Sequence, residues 1–235
     1  MNNMQFSLVI PFYNEEKNAE SVCHEIVEIF SRHNLNYELI AVNNGSRDKT
    51  AQLLEQLADK HPVIKIVNVA VNQGYGYGVL QGLKTAQGDY VGYSVGDGQI
   101  SAEDVYKVYK EAAVNNLDYC QGKRIGRKDS FLRTLNTKFF HFIFHLLYNN
   151  NITDNGSNPK ILKKTWYEKM KLVSKDWFLD SEIILKTSIL NGSMKEIPVT
   201  FIKRKEGKSK VNIWGSLKTL KSVLIWKFKL IGQSK

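Results

Sequence analysis

Residues 95–100 read VGDGQI. A single carboxylate, Asp97, stands between Gly96 and Gly98, just after an apolar, β-prone run that holds Tyr90, Val91 and Tyr93. Flanking glycines admit a tight turn or the close approach of something bulky. A lone acid at the carboxyl end of a strand is a common ligand for a metal-bound phosphate. The plain alternative is a surface turn that uses Asp and Gly for its backbone. Three further loops carry amides, hydroxyls or glycines in the same relation to an apolar run. They hold Pro11, Tyr13 and Glu15; Asn43, Asn44 and Ser46; and Gly74 and Gly76. Farther on, Asp180 and Glu182 in DWFLDSEI offer two carboxylates for positioning an acceptor or for general-base work, with a solvated helix face as the bland reading.

The elements that would position these loops follow from periodicity. Short apolar runs at 5–11, 37–42, 63–69, 90–95 and 117–121 predict strands. Between them, helical spacing runs from Asn14 to Phe30, from Ser46 to Leu57, over 78–86 and over 102–113. Strand-helix alternation at this spacing predicts βαβ units and a mostly parallel sheet flanked by helices, an α/β fold of Rossmann type. Ligands of such sheets bind beyond the carboxyl ends of the strands, which is where all four loops fall. The second half is less regular. A helix is expected over 177–190, a strand over 195–202, and an amphipathic helix over 213–231.

Composition narrows the partners. The chain has 235 residues, 43% hydrophobic and 24% charged, enough for one sizeable core or two small ones. Its net charge is +10, and it is concentrated: between 203 and 235 there are ten Lys/Arg and one acid, Glu206. Such a tail calls for a polyanion, whether phosphate groups, an anionic membrane face or nucleic acid. No nucleic-acid module is recognisable, so nucleic acid is set aside. Cys23 and Cys120 lie in apolar contexts and read as buried thiols of a reducing compartment. The opening residues show no signal-peptide pattern, and no apolar run is long enough to span a bilayer.

Taken in order, the loops resemble family 2 glycosyltransferases of the GT-A fold, in the branch that includes dolichyl-phosphate-mannose synthases. LVIPFYNEE is similar to the family's opening strand and nucleotide loop, VNNGSRDKT to D-D-G-S-x-D-x-T, NQGYGYGVLQGL to its helix entry, and VGDGQ to D-A-D-L-Q. GKR at 122–124 is similar to G-S-R, and EIPVTF with GKSK to E-V-P-V with G-x-S-K. The resemblance implies one domain over 1–235, with a nucleotide-sugar half at 1–122 and an acceptor half at 123–235. It implies that Pro11, Tyr13 and Glu15 line the base and ribose, that 43–46 face the base, and that Gly74, Gly76 and Gly96 lie near the sugar nucleotide. Asp97, with Gln99 beside it, would meet Mg²⁺ or Mn²⁺ on the diphosphate. Arg204, Lys208 and Ser209 would meet diphosphate or acceptor phosphate, with Arg124 guiding an anionic acceptor. Asp154 matches a family acid on the sugar side.

Two positions depart from that pattern. Asn43 and Asn44 replace paired acids, and their donor faces would suit cytosine N3, an acceptor. Val95 replaces the first acid of D-x-D, leaving Asp97 alone. Gly74 to Gly78 is not a dinucleotide fingerprint, since it follows the third strand and lacks the distant acid. His141 and His145, four apart, read as packed or interfacial.

The expected activity is metal-dependent, inverting transfer of a sugar from a nucleotide-sugar to a polyprenyl phosphate. A glycan or lipid hydroxyl is the alternative acceptor, and a catalytically silent adapter on the same fold is the alternative of another class. The segments 133–148 and 213–231 mix Trp, Phe and Leu with Lys and are read as interfacial helices, placing the protein in the cytoplasm on the inner face of a membrane. Packing on the core or on a second copy of the chain is the plainer reading of both.

Overall fold

A computed structural model describes residues 4–125 and 152–202. The expected alternation is present as β1 (Phe6–Phe12), α1 (Ala19–Arg32), β2 (Tyr37–Asn44), α2 (Thr50–Lys60), β3 (Ile64–Val69), α3 (Tyr75–Thr85), β4 (Tyr90–Tyr93), α4 (Ala102–Val114) and β5 (Tyr119–Ile125). The described remainder adds β6 (Lys160–Lys163), α5 (Lys164–Met170), α6 (Leu179–Ile189) and β7 (Met194–Thr200). The seven strands form one sheet in the order β3-β2-β1-β4-β6-β5-β7. β1 pairs in parallel with β2 and β4, β2 with β3, and β5 with β7. β6 runs antiparallel between β4 and β5.

The sheet is buried on both faces, as a mostly parallel sheet requires. Alternate residues of β1 and β2 serve two cores. Phe6, Leu8, Ile10, Tyr37, Leu39 and Ala41 pack with α1, α2 and α4. Val9, Ile40 and Val42 face the other way and pack with α3, α5 and α6. Each fully buried Leu, Ile or Phe contributes about 1.5–3 kcal/mol. That holds the strand ends still, so the loops beyond them start from fixed points.

Two departures from the sequence expectation have local causes. α1 begins at Ala19 rather than at Asn14, because residues 14–16 are tied to the loop after β2. The Asn14 amide donates to Ser46 Oγ at 3.1 Å and the Arg47 amide to Asn14 Oδ1 at 2.8 Å. The Glu15 amide donates to Thr50 Oγ1 at 2.9 Å, and the Lys49 amide to Glu16 Oε2 at 3.0 Å. β6, which fills the sheet between β4 and β5, and α5, which follows it, have no counterpart in the periodicity reading. Arg204, Lys208 and Ser209, both amphipathic segments and the histidine pair lie outside the described residues. Among the described residues no helix is long and apolar enough to cross a membrane.

Candidate active site

The four loops meet at the carboxyl edge of β1 to β4. Asn43 pairs with Phe12 across β1 and β2, and with Asn68 of β3 in the next register. Its amide orientation is set by its neighbours: the Ser46 amide donates to Asn43 Oδ1 at 3.1 Å, and Asn43 Nδ2 donates to Asn68 Oδ1 at 3.1 Å. One of the two N–H donors of Asn43 is therefore spent within the protein. Asn44 Nδ2 donates to the Gly74 carbonyl at 3.1 Å, and the side chain lies over Gly78. Each amide nitrogen carries a second N–H beyond the one used here, so these bonds do not decide between uracil, guanine and cytosine.

The glycines have separate jobs. A side chain at Gly74 would strike the Lys175 carbonyl, and one at Gly76 would meet the Ser174 and Asp176 carbonyls at 2.6 Å each. Their bareness seats the start of α3 on the 174–176 loop. Gly96 makes room for the Phe12 ring. Among the described glycines, Gly98 joins a left-handed backbone, φ +70°, to loose surroundings, since an added side chain would meet Val22 at an ordinary 3.9 Å. Next to it the Gln99 amide donates to Asp97 Oδ1 at 3.1 Å. Gln99 also holds Ile202 at both ends: Nε2 donates to the Ile202 carbonyl at 3.1 Å, and the Ile202 amide donates to the Gln99 carbonyl at 3.0 Å. The chain into the basic segment thus leaves from beside the Asp97 loop.

No cluster of three His, Cys, Asp or Glu side chains able to hold a metal occurs among the described residues. A magnesium-like ion needs fewer protein ligands than such a cluster supplies. Such ions are commonly held by one or two carboxylates, with substrate phosphates and water completing the shell.

The two acids of α6 part company. Tyr93 donates to Asp180 Oδ1 at 2.8 Å, and burial raises the Asp180 carboxyl above the ordinary aspartate value. Glu182 is fully buried and already engaged: it accepts from the Val173 amide at 3.1 Å and the Ser174 amide at 2.8 Å, and pairs with Lys186 at 2.7 Å. It braces the 171–174 turn. Arg124 is also committed, in a two-pronged pair with Asp154 at 2.8 Å and 2.5 Å.

Residues not singled out by sequence complete the cluster. Tyr75, the first residue of α3, stacks on Trp177 with ring centroids 4.3 Å apart and meets Tyr93 edge-on at 6.3 Å. Lys160 on β6 is fully buried. Its Nζ reaches Gln121 Oε1 at 2.7 Å, the Asn155 carbonyl at 2.9 Å and the Tyr119 hydroxyl at 3.2 Å. Tyr119 gives its own proton to Gln121. All three neighbours of Nζ therefore accept, which only an ammonium can satisfy. Burial pulls the Lys160 pKa below the ordinary lysine value, while Asp180, Asp154 and Glu196 favour its charge. The available signal was a lone lysine in the apolar run PKIL; the tyrosines were hidden among glycines and in a strand.

Comparison with known proteins covers most of the chain. Residues 7–171 match the family model described as glycosyl transferase family 2. A dolichyl-phosphate beta-glucosyltransferase of Drosophila melanogaster is 25% identical over 98% of this chain and 77% of its own length. A dolichol-phosphate mannosyltransferase of Pyrococcus furiosus is 29% identical over 98% of this chain and 69% of its own. Among solved structures, glucosyl-3-phosphoglycerate synthase of Mycobacterium tuberculosis, crystallised with Mn²⁺, UDP and glucosyl-3-phosphoglycerate, superposes with a TM-score of 0.74 at 16% identity. That match covers 95% of this chain and 80% of the other.

Proposed function

The chain belongs to glycosyl transferase family 2, with the GT-A fold, and on that premise we propose that it moves a sugar from a nucleoside diphosphate to a polyprenyl phosphate. The observation that carries the acceptor is the match over 98% of the chain to two relatives whose names share a dolichol phosphate and differ in the sugar. The donor half is residues 1–122 and the acceptor half 123–235.

In this reading the nucleotide lies over the clasped loops of Tyr13, Glu15 and Ser46, with its diphosphate towards Asp97. If Asn43 meets the base, the second lone pair of its carbonyl oxygen suits the N–H of uracil or guanine, and its second N–H suits cytosine N3. A bound Mg²⁺ or Mn²⁺ held by Asp97 would neutralise the charge gathering on the leaving diphosphate. A phosphate oxygen of the acceptor forms the new bond to the anomeric carbon. The bond from that carbon to the diphosphate breaks, and its electron pair leaves with the diphosphate. Attack from the opposite face inverts the centre. An anionic phosphate needs no base, so Asp180 is assigned to binding sugar. The basic 203–235 segment is assigned to anionic headgroups at a membrane face.

One observation favours the second reading, a hydroxyl acceptor. Asp180 is buried with a raised pKa, a state suited to taking a proton. Transfer of labelled sugar from UDP-glucose or GDP-mannose, with Mg²⁺ or Mn²⁺, into a polyprenyl phosphate tests the choice. Label in the lipid phosphate that is lost in Asp97→Ala supports the proposal. Label found only on a hydroxyl acceptor selects the second reading. Absence of both turnover and nucleotide binding selects the silent adapter.

A further inference from the structure

The segment between α5 and α6 alternates in exposure. Lys171, Val173, Lys175 and Trp177 face solvent, while Leu172, Ser174 and Asp176 between them are half-buried. Leu172 packs on the core beneath, and Asp176 turns in to accept from the Phe178 amide at 3.0 Å. Two cations and two large apolar side chains thus share one outward face, with Val173 59% and Trp177 44% exposed. The segment belongs to no strand, so its shape comes from its anchors. The Val173 and Ser174 amides donate to the buried Glu182, and Lys186 Nζ donates to the Lys171 carbonyl at 2.8 Å. The Tyr77 amide donates to the Lys175 carbonyl at 2.9 Å, against the bare backbone of Gly74 and Gly76. Burying a carboxylate is costly. Here one serves to fix a loop that holds a valine and a tryptophan out in water.

We propose that this face, residues 171–177, is a docking surface for an anionic membrane, separate from the basic segment at 203–235. Charge and apolar character together select that occupant. Lys169, exposed at the end of α5, adds a third cation beside the two, and the one acid of the stretch 169–177 is the inward-turned Asp176. Among the described residues none of these three lysines joins an ion pair. An anionic leaflet attracts lysines at its surface, and their stems can lie along apolar neighbours while the ammonium groups reach the headgroups. Valine gains by entering the boundary of the acyl chains, and an indole settles there with its N–H among the headgroups. A purely ionic partner such as nucleic acid would leave Val173 unused. Trp177 stacks on Tyr75, and Asp180 follows three residues later, so the site lies directly behind the docked face. The proposal deepens the polyprenyl-phosphate reading, because an acceptor whose chain stays in the bilayer needs a site that opens at its surface.

Val173→Cys carries the test, because Cys23 and Cys120 are buried and leave the new thiol alone to be labelled. The full chain, bearing a polarity-sensitive nitrobenzoxadiazole dye at 173, is mixed with vesicles of phosphatidylcholine and phosphatidylglycerol, or of phosphatidylcholine alone. A second protein, Val114→Cys, carries the dye at the end of α4, where Val114 is 72% exposed. That end leads into the start of β5, at the opposite edge of the sheet from the site. On the anionic vesicles the dye at 173 should shift to the blue and be quenched by doxyl-labelled lipid, and the dye at 114 should not respond. Lys171→Gln and Lys175→Gln should each weaken vesicle binding about fivefold, with melting temperatures unchanged at these exposed positions. A dye at 173 that stays in water on vesicle-bound protein would make the basic segment the contact and overturn the proposal. Lysine variants that bind as tightly as wild type, or a wild type that ignores the vesicles, would overturn it too. Sugar transfer into a polyprenyl phosphate in detergent, where no bilayer is needed, scores the transferase reading separately. Transfer in detergent without vesicle docking removes the docking face alone, and docking without any transfer removes the transferase reading alone.

Discussion

Tyr93 on β4 and Asp180 at the start of α6, 87 residues apart in sequence, share a 2.8 Å hydrogen bond from the phenol to the carboxylate, and both side chains are buried. This bond links the central strand to the helix that borders the site. Tyr93→Phe should cost about 1.5–3 kcal/mol, the range for a hydrogen bond to a charged group. The pH dependence gives a sharper check. Burial raises the Asp180 carboxyl, and the Tyr93 hydrogen bond works against that rise. A carboxyl raised on folding binds more protons in the native state, so its stability contribution falls as pH climbs from the ordinary aspartate value through the raised one. Loss of Tyr93 raises it further. Urea melts should therefore show a larger gap between wild type and Tyr93→Phe at pH 7 than at pH 4.

Arg124 and Asp154 give the opposite sign. Burial alone would raise Asp154, but the Arg124 guanidinium outweighs it and holds the carboxyl below its ordinary value. The stability from this pair is present above the unfolded aspartate pKa and is lost as pH falls through the lower, native one. Arg124→Met should cost about 3 kcal/mol at pH 7, since it leaves a buried carboxylate with its backbone and loop partners only. The variant should also lose less stability than wild type on acidification, because without Arg124 burial no longer leaves the carboxyl below its ordinary value. The gap between the two therefore narrows from pH 7 to pH 3, read by denaturant melts.

Lys160→Met tests the buried ammonium. Methionine fills similar space but leaves the Asn155 carbonyl without the donor that Lys160 supplied, and removes a positive charge near Asp180. A stability loss of about 3 kcal/mol is expected. A carboxyl titration of Asp180 by ¹³C NMR should move upward, because Lys160 is the strongest of the groups that lower it.

The thiols should be silent. Burial pushes Cys23 and Cys120 up to about 12, and neither side chain is exposed. Because the thiolate is the reactive form, the native protein should resist iodoacetamide at pH 8 and take up two equivalents after denaturation, counted by mass spectrometry.

How far the sequence alone reached depended on the range of the physics. Strand-helix alternation, the apolar faces of β1 and β2 and the gathering of polar loops beyond the strands are local properties, and periodicity carried them. So was the pairing of loop motifs with a family, which residues 7–171 bear out. What each polar group does is not local. Glu15 and Glu16 look like helix-cap acids but belong to a clasp with the loop after β2, which forms only when β1 and β2 lie side by side. Asp180 and Glu182 are two residues apart and equivalent in sequence, yet one is drawn to Tyr93 and the other to the amides of Val173 and Ser174. The glycines of the third loop announce closeness without naming the neighbour, which proves to be the 174–176 backbone, a hundred residues away. Lys160 is charged in an apolar strand, a cost offset by distant acceptors on β5 together with the nearby Asn155 carbonyl. The sequence by itself determined the alternating elements, because propensity and hydrophobic period act over a few residues. Only the tertiary structure decided which carboxylates, amides and hydroxyls are already satisfied and which are left for a substrate, because hydrogen bonds between residues far apart in the chain exist only once the sheet has brought them together.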